Sequence, residues 1–263
     1  MFAAYQIQNI SFNSPENFIE RGSSVEHSAN QTVSKSIHQF VKPDGAVDAA
    51  AMMGNWFPEI EANIFISHAR ADKDLALALS GWLKSEFQLK PFIDSCVWSH
   101  ANGLLRVLDD HYCKTGDKLF SYEKSIITAS HVHMMLATAL SKMMDRCECI
   151  FFLKSANSVS PKSVEQMVAG ENESTHSPWL FHEISMMQML RRRLKEEHRE
   201  KSIQFSESII KAAAAQLPQF DYPVNLDGLP ALTVDNLHAW QSESKKQNIA
   251  LDALYRISPP PNP

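Results

Sequence analysis

Three short apolar runs constrain this chain more than any other feature: Asn63–Ser67 (NIFIS), Lys90–Asp94 (KPFID) and Glu148–Leu153 (ECIFFL). Each reads as a buried strand, and the first two end abruptly in polar or acidic residues. Between them the pattern turns helical. From about Asp72 to Phe87, Leu75, Leu79, Trp82, Leu83 and Phe87 fall on one helix face, with Asp72 as the expected N-cap. Strands that alternate with helices imply an α/β protein with a mostly parallel sheet, covered on both faces. In such folds ligands bind outside the C-terminal ends of the strands. Ser67, His68 and Asp94 stand at those ends.

The rest of the chain reads more coarsely. Residues 1–45 are polar and irregular, a mobile arm or a cover. Residues 46–60 suit a short helix ended by Gly54 and Pro58. Residues 95–120 form a long polar segment with short helical pieces, Leu104–Asp110 among them. A long helix is expected over Ser121–Asp145, and a polar loop over Lys154–Ser177. Ser177 and Pro178 supply an N-cap and an N1 proline for a helix reaching about Leu194. The run Arg191–Arg193 suits the solvated C-terminus of that helix. Residues 206–215 look helical, Asp221–Leu226 suits a last strand, and Asn236–Arg256 a final helix.

Composition removes several function classes. The 263 residues carry a net charge of −5, so no broad positive field invites nucleic acid. No run approaches the ~18 apolar residues of a membrane helix, and the first residues lack the pattern of a secretory signal. The four cysteines read as reduced thiols in or near a core, which suits the cytoplasm. With 8 glycines there is neither a GxGxxG nor a GxxxxGK[ST] motif, so a nucleotide would be held without either. His131 and His133, two apart on a helix, point away from each other and cannot chelate together. They read as one core and one surface histidine, and no metal is expected.

Four pieces in order, IFISHARADKDLA, KPFID, IFFL and SPWLFHEI, resemble the Toll/interleukin-1 receptor (TIR) domain family. The likeness covers roughly residues 60–230. The stretches WFPEIEANIFISH, FIDSCVW and TASHVHMML narrow it to bacterial antiphage TIR proteins of the Thoeris type. The resemblance implies a flavodoxin-like, five-stranded sheet over 61–230. Residues 1–60 would be an N-terminal extension, and 231–263 a C-terminal helix and tail. It also implies cleavage of NAD at the nicotinamide–ribose bond. The product would be an ADP-ribose-derived messenger for a separate effector protein. A phage-derived trigger and self-association through TIR surfaces belong to the same expectation. The alternative within the family is a non-catalytic assembly module. The family's catalytic glutamate corresponds to Glu183, four residues after Trp179. The long segments 95–120 and 154–177 depart from the family pattern and flank the expected site.

The residues add their own argument. Glu183 lies on a helix that is apolar almost all round, where a carboxylate is costly unless paired or facing a cleft. Breaking the nicotinamide bond leaves a ribose cation like that of glycoside hydrolysis, which a carboxylate stabilises. Nicotinamide departs neutral, so one glutamate suffices without metal. Ser67, His68 and Arg70 either contact phosphate or ribose, or cap the following helix; Arg70 is the best phosphate ligand of the three. Trp98 and Trp179 either stack on a ring of the nucleotide or pack in the core. Asp94 is expected to fix loop geometry by accepting backbone N–H bonds.

Overall fold

A computed structural model describes residues 1–12, 15–29, 37–44, 46–116, 119–160, 173–199, 222–246 and 249–261. Five strands form one all-parallel sheet: β1 (Ala3–Gln8), β2 (Ile64–Ser67), β3 (Pro91–Ile93), β6 (Cys149–Lys154) and β9 (Ala231–Leu232). Their order is β3-β2-β6-β1-β9. Two small antiparallel pairs lie outside it, β4 (Lys114–Gly116) with β5 (Leu119–Phe120), and β7 (Glu173–Thr175) with β8 (Tyr222–Val224). The helices are α1 (Pro15–Ala29), α2 (Ala49–Trp56), α3 (Lys73–Phe87), α4 (Ser95–Leu108), α5 (Tyr122–Arg146), α6 (Pro178–Met189), α7 (Lys195–Arg199), α8 (Val234–Ser244) and α9 (Ala250–Ile257).

The α/β expectation holds, and the sheet order shows how the flavodoxin-like plan is met. Taken alone, β2, β3, β6 and β9 occupy places one, two, three and five of the doubly wound order 2-1-3-4-5. The fourth place is filled by β1, from the other end of the chain. Residues 3–8 are therefore no arm or cover but a strand in the sheet, paired with β6 from Ala3↔Cys149 to Gln8↔Lys154. Tyr5 and Ile7 alternate with polar Gln6 and Gln8, a half-polar strand that the surrounding Ser, Asn and Gln disguised. The last strand expected at 221–226 is β8, which pairs with β7 rather than with the sheet.

Strand periodicity divides the core into two layers. Tyr5, Ile7, Ile64, Ile66, Ile93, Phe151 and Leu153 face α3, α8 and α9. Ala4, Phe65, Phe92, Ile150 and Phe152 face α2, α4, α5 and α6. Across the first layer, α1 lies on α3 at very close range. A Cβ added at Gly22 would stand 2.1 Å from the Leu77 carbonyl oxygen, and one at Gly81 would stand 2.0 Å from that of Phe18. The two glycines thus let the backbones touch reciprocally.

Other boundaries follow their caps. Asp48 and Ser121 accept from Ala51 and Lys124 N–H groups and start α2 and α5. Residues 95–108 are one helix, not short pieces, and the final helical region breaks into α8 and α9. The segment read as helical at 206–215 lies outside the described residues. Helix α6 begins as its Ser-Pro start requires but ends at Met189, and Arg193 then binds the Asp145 carbonyl and carboxylate at 2.5 Å. The arginines are thus not a solvated helix end.

Candidate active site

Chain direction places the site. After β2 the chain passes to α3 on one face of the sheet, and α4, α5 and α6 cover the other. The adjacent ends of β2 and β6 form the switch point of the doubly wound sheet. The loops there are tied together. Asp72 accepts hydrogen bonds from Ser155 Oγ at 2.5 Å and Asn157 Nδ2 at 2.7 Å. Asp72 was the expected N-cap of α3, but its carboxylate makes no cap bond and instead holds the loop that follows β6.

Four polar side chains converge beside this point, all buried: Ser67, His68, Asp94 and Glu183. Ser67 follows the same alternation as Phe65 and so faces α6. Its hydroxyl donates to Glu183 Oε2 at 2.5 Å. Glu183 is 0% exposed and shares the inward face of α6 with Leu180, Ile184 and Met187. That face is fixed by helical spacing and by the Ser177 cap, whose hydroxyl accepts from Leu180 N–H. From the end of β3, Asp94 comes to both neighbours. Its Oδ1 lies 2.6 Å from His68 Nδ1, and its carboxyl lies within hydrogen-bonding reach of Glu183. Asp94 thus pairs with a side chain, where the sequence suggested backbone partners.

The electrostatics are unusual for a core. Burial raises the pKa of Glu183 well above the glutamate range. The negative charge of Asp94 pushes the same way; the Ser67 bond opposes them, and a hydrogen bond shared with Asp94 adds to the rise. Burial works against the charge on His68, but Asp94, with Asp72 further out, outweighs burial and Lys73 and raises its pKa. Several buried atoms here find no hydrogen-bond partner within the protein: Glu183 Oε1, Asp94 Oδ2, His68 Nε2 and Ser95 Oγ. Ser95 had no signal of its own in the sequence beyond following Asp94. Native cores leave few such atoms, and a cluster of them at a switch point is the mark of a site.

The remaining candidates are dispersed. Arg70 is exposed in the turn Arg70–Asp72 that follows β2. Trp179 packs half-buried against α5, edge-on to His133 with ring centroids 5.7 Å apart. Trp98 belongs to α4, and its side chain lies outside the described residues. His131 and His133 are both exposed on α5, so neither is a core histidine. Among the described residues, no three His, Cys, Asp or Glu side chains group to hold a metal. Cys113, Cys147 and Cys149 are buried free thiols, and burial pushes Cys147 up to about 12. No helix among the described residues is long and apolar enough to cross a membrane.

Comparison of the chain with protein-family models, with characterised proteins and with solved structures finds no match.

Proposed function

We propose that this protein cleaves NAD at the nicotinamide–ribose bond, with Glu183 as the catalytic residue. One observation carries the reading: a fully buried glutamate, bonded by Ser67 and abutting Asp94, at the C-terminal ends of β2 and β3. In the reaction the C1′–N bond breaks and its electron pair leaves with nicotinamide. The positive charge left on the ribose then faces Glu183, where a carboxylate in a dry site stabilises it until water or another hydroxyl adds at C1′ and releases its proton. Ser67 holds the Glu183 carboxyl in one orientation, and Asp94 holds His68 by Nδ1, with Nε2 left without a partner in the protein. Arg70, exposed just after β2, is the cation this reading assigns to the diphosphate.

Glu183 has no solvent exposure, so this conformation is closed to a dinucleotide. Activity therefore calls for an opening step, which suits a protein silent until a phage component or assembly acts on it. On this reading the product is an ADP-ribose-derived messenger that activates a separate effector in the bacterial cytoplasm.

A second reading has an observation of its own. Leu119, Phe120, Tyr122 and Ile127 are exposed in one stretch around the start of α5. Such an apolar surface suits a TIR-like assembly module without chemistry. Mass spectrometry of NAD incubated with the protein separates the two, with and without lysate from infected cells. Loss of NAD and a new ADP-ribose-containing product, absent with Glu183→Gln, is the expected result. No turnover under any condition would leave the assembly reading.

A further inference from the structure

Two acids in contact inside a core need a reason. Glu183 Oε1 and Asp94 Oδ2 both lack a donor within the protein, yet the two carboxyls lie within hydrogen-bonding reach. Two carboxylate oxygens only accept, so they cannot satisfy each other. A single proton held between the groups turns one of them into a donor and meets both needs. Apart from His68, whose charged form Asp94 favours and which pulls toward ionisation, the elements around the pair leave that proton in place. The Ser67 hydroxyl is a neutral donor to the other Glu183 oxygen, Oε2. His68 is engaged by Asp94, with Asp72 and Lys73 beyond it. From the helical side, α6 offers only apolar Leu180, Ile184 and Met187 on the same face. His133 of α5 is turned to Trp179, and His182 of α6 to Ser141 at 3.1 Å. Burial holds His182 toward the neutral form, and partial desolvation of the His133 ring acts in the same direction.

We propose that a positively charged pyridinium ring displaces one proton from the Asp94–Glu183 pair on binding, and that this exchange of charge selects the oxidised nicotinamide nucleotide. The proposal rests on the NAD reading given above and adds how the site tells its substrate from the reduced form. The balance is simple. The resting pair holds one proton and one negative charge. The incoming ring brings one positive charge, the proton goes to solvent, and both carboxylates remain, one of them facing C1′. The site's net charge is unchanged by the exchange. A reduced, uncharged dihydropyridine ring brings no charge, so the proton stays and Glu183 remains a neutral acid. The resting site is thereby kept from holding two bare carboxylates side by side, which a dry environment penalises heavily. The active ionisation state exists only with the cation in place.

Two measurements test this. The first is calorimetric titration of the full chain, in buffers of different ionisation enthalpy, with NADH and with NAD supplied as its carbocyclic analogue, which keeps the pyridinium charge but is not cleaved, because cleavage of NAD would itself release a proton. About one proton released per NAD bound, with NADH binding at least tenfold more weakly and releasing none, is expected. Release should vanish in Glu183→Gln, which keeps shape without a titrating group. NAD binding without proton release, or equal binding of NADH with the same release, would overturn the proposal while leaving the NAD reading standing. Absence of binding by either nucleotide, even with infected-cell lysate present in a dialysis format, would overturn both. The second needs no ligand: the infrared spectrum of the resting protein should contain a protonated-carboxyl band at neutral pH that Glu183→Gln removes and that Asp94→Asn shifts in frequency by changing its hydrogen-bond partner. A native spectrum without that band would overturn the proposal whatever the binding result.

Discussion

The sheet buries one glutamate at each end, and the two are treated oppositely. Glu148, just before β6, accepts from Arg199 Nε at 3.0 Å and Nη2 at 2.7 Å, and from the Tyr255 hydroxyl at 3.1 Å. Asp252 and Lys195 extend that network to the surface. Glu183, at the opposite end, receives one hydroxyl bond and faces another acid. A carboxylate with a bidentate arginine is satisfied and holds α7 and α9 against the sheet. A carboxyl with an acid for a neighbour gains nothing for the fold that an apolar residue of its size would not give more cheaply. The same side chain thus makes a structural joint at one end and, at the other, an unpaired buried acid where the proposed chemistry sits.

Exchanging the two roles by mutation is the sharpest way to break this contrast. Glu183→Gln should abolish NAD cleavage, a loss of at least about 10²-fold in turnover, with the circular dichroism spectrum unchanged. Turnover within a few-fold of native would remove Glu183 from the chemistry. Glu148→Ala should do the reverse. It leaves Arg199 short of its main partner and should cost about 3 kcal/mol, read as a melting temperature lower by roughly 6–12 °C. Its specific activity below the transition should be retained. A Glu148→Ala protein that melts like native would show that Lys195 and Asp252 carry the joint.

How far this contrast was legible in the sequence differs between the two ends. The positions of Ser67, His68 and Asp94 were readable because polar residues at strand ends stand where a doubly wound sheet gathers its loops, while Glu183 was singled out by the family resemblance and as a carboxylate on an apolar helix. Their mutual pairing was not readable, since Asp94–His68 contact depends on the loop geometry after two different strands. Glu148 was invisible as a joint: its partner Arg199 is 51 residues away, past a helix whose end the basic run misplaced. The strand β1 was missed for a related reason. Its membership in the sheet comes from pairing with β6, about 145 residues on, and a six-residue strand with polar alternate positions carries little local signal. The role of Asp72 also misled, because an Asp before a helix suits a cap as well as a bridge to another loop.

A smaller effect tests the support beneath β2 and α3. Alanine is normally favoured over glycine in a helix by about 1 kcal/mol. At Gly81 the added Cβ would stand 2.0 Å from a backbone oxygen of α1, which no side-chain rotation relieves. The helices must part, so Gly81→Ala should be destabilising by about 1–3 kcal/mol. Thermal melts of Gly81→Ala and Gly22→Ala should show falls of similar size. A rise in either would mean that α1 is free to shift on α3.

The smallest effect bears most directly on what separates the two glutamates, and its sign follows from linkage. The pKa of Glu183 is raised on folding, so between the ordinary glutamate value and the raised one the native protein holds a proton that the unfolded chain has released. Stability from this group is fully present below the ordinary value and is lost as pH rises through the raised one. His68, also raised, adds a loss in the same direction from its own ordinary value upward. Glu183→Gln isolates the first term. Its amide donates to Asp94 and its carbonyl accepts from Ser67 at every pH, so no proton is required. The variant should therefore match native near pH 4 and melt higher at pH 8 to 9, by about 2–5 °C. A variant less stable than native at alkaline pH would mean that Glu183 is held there as a satisfied carboxylate, and the two ends of the sheet would then be alike.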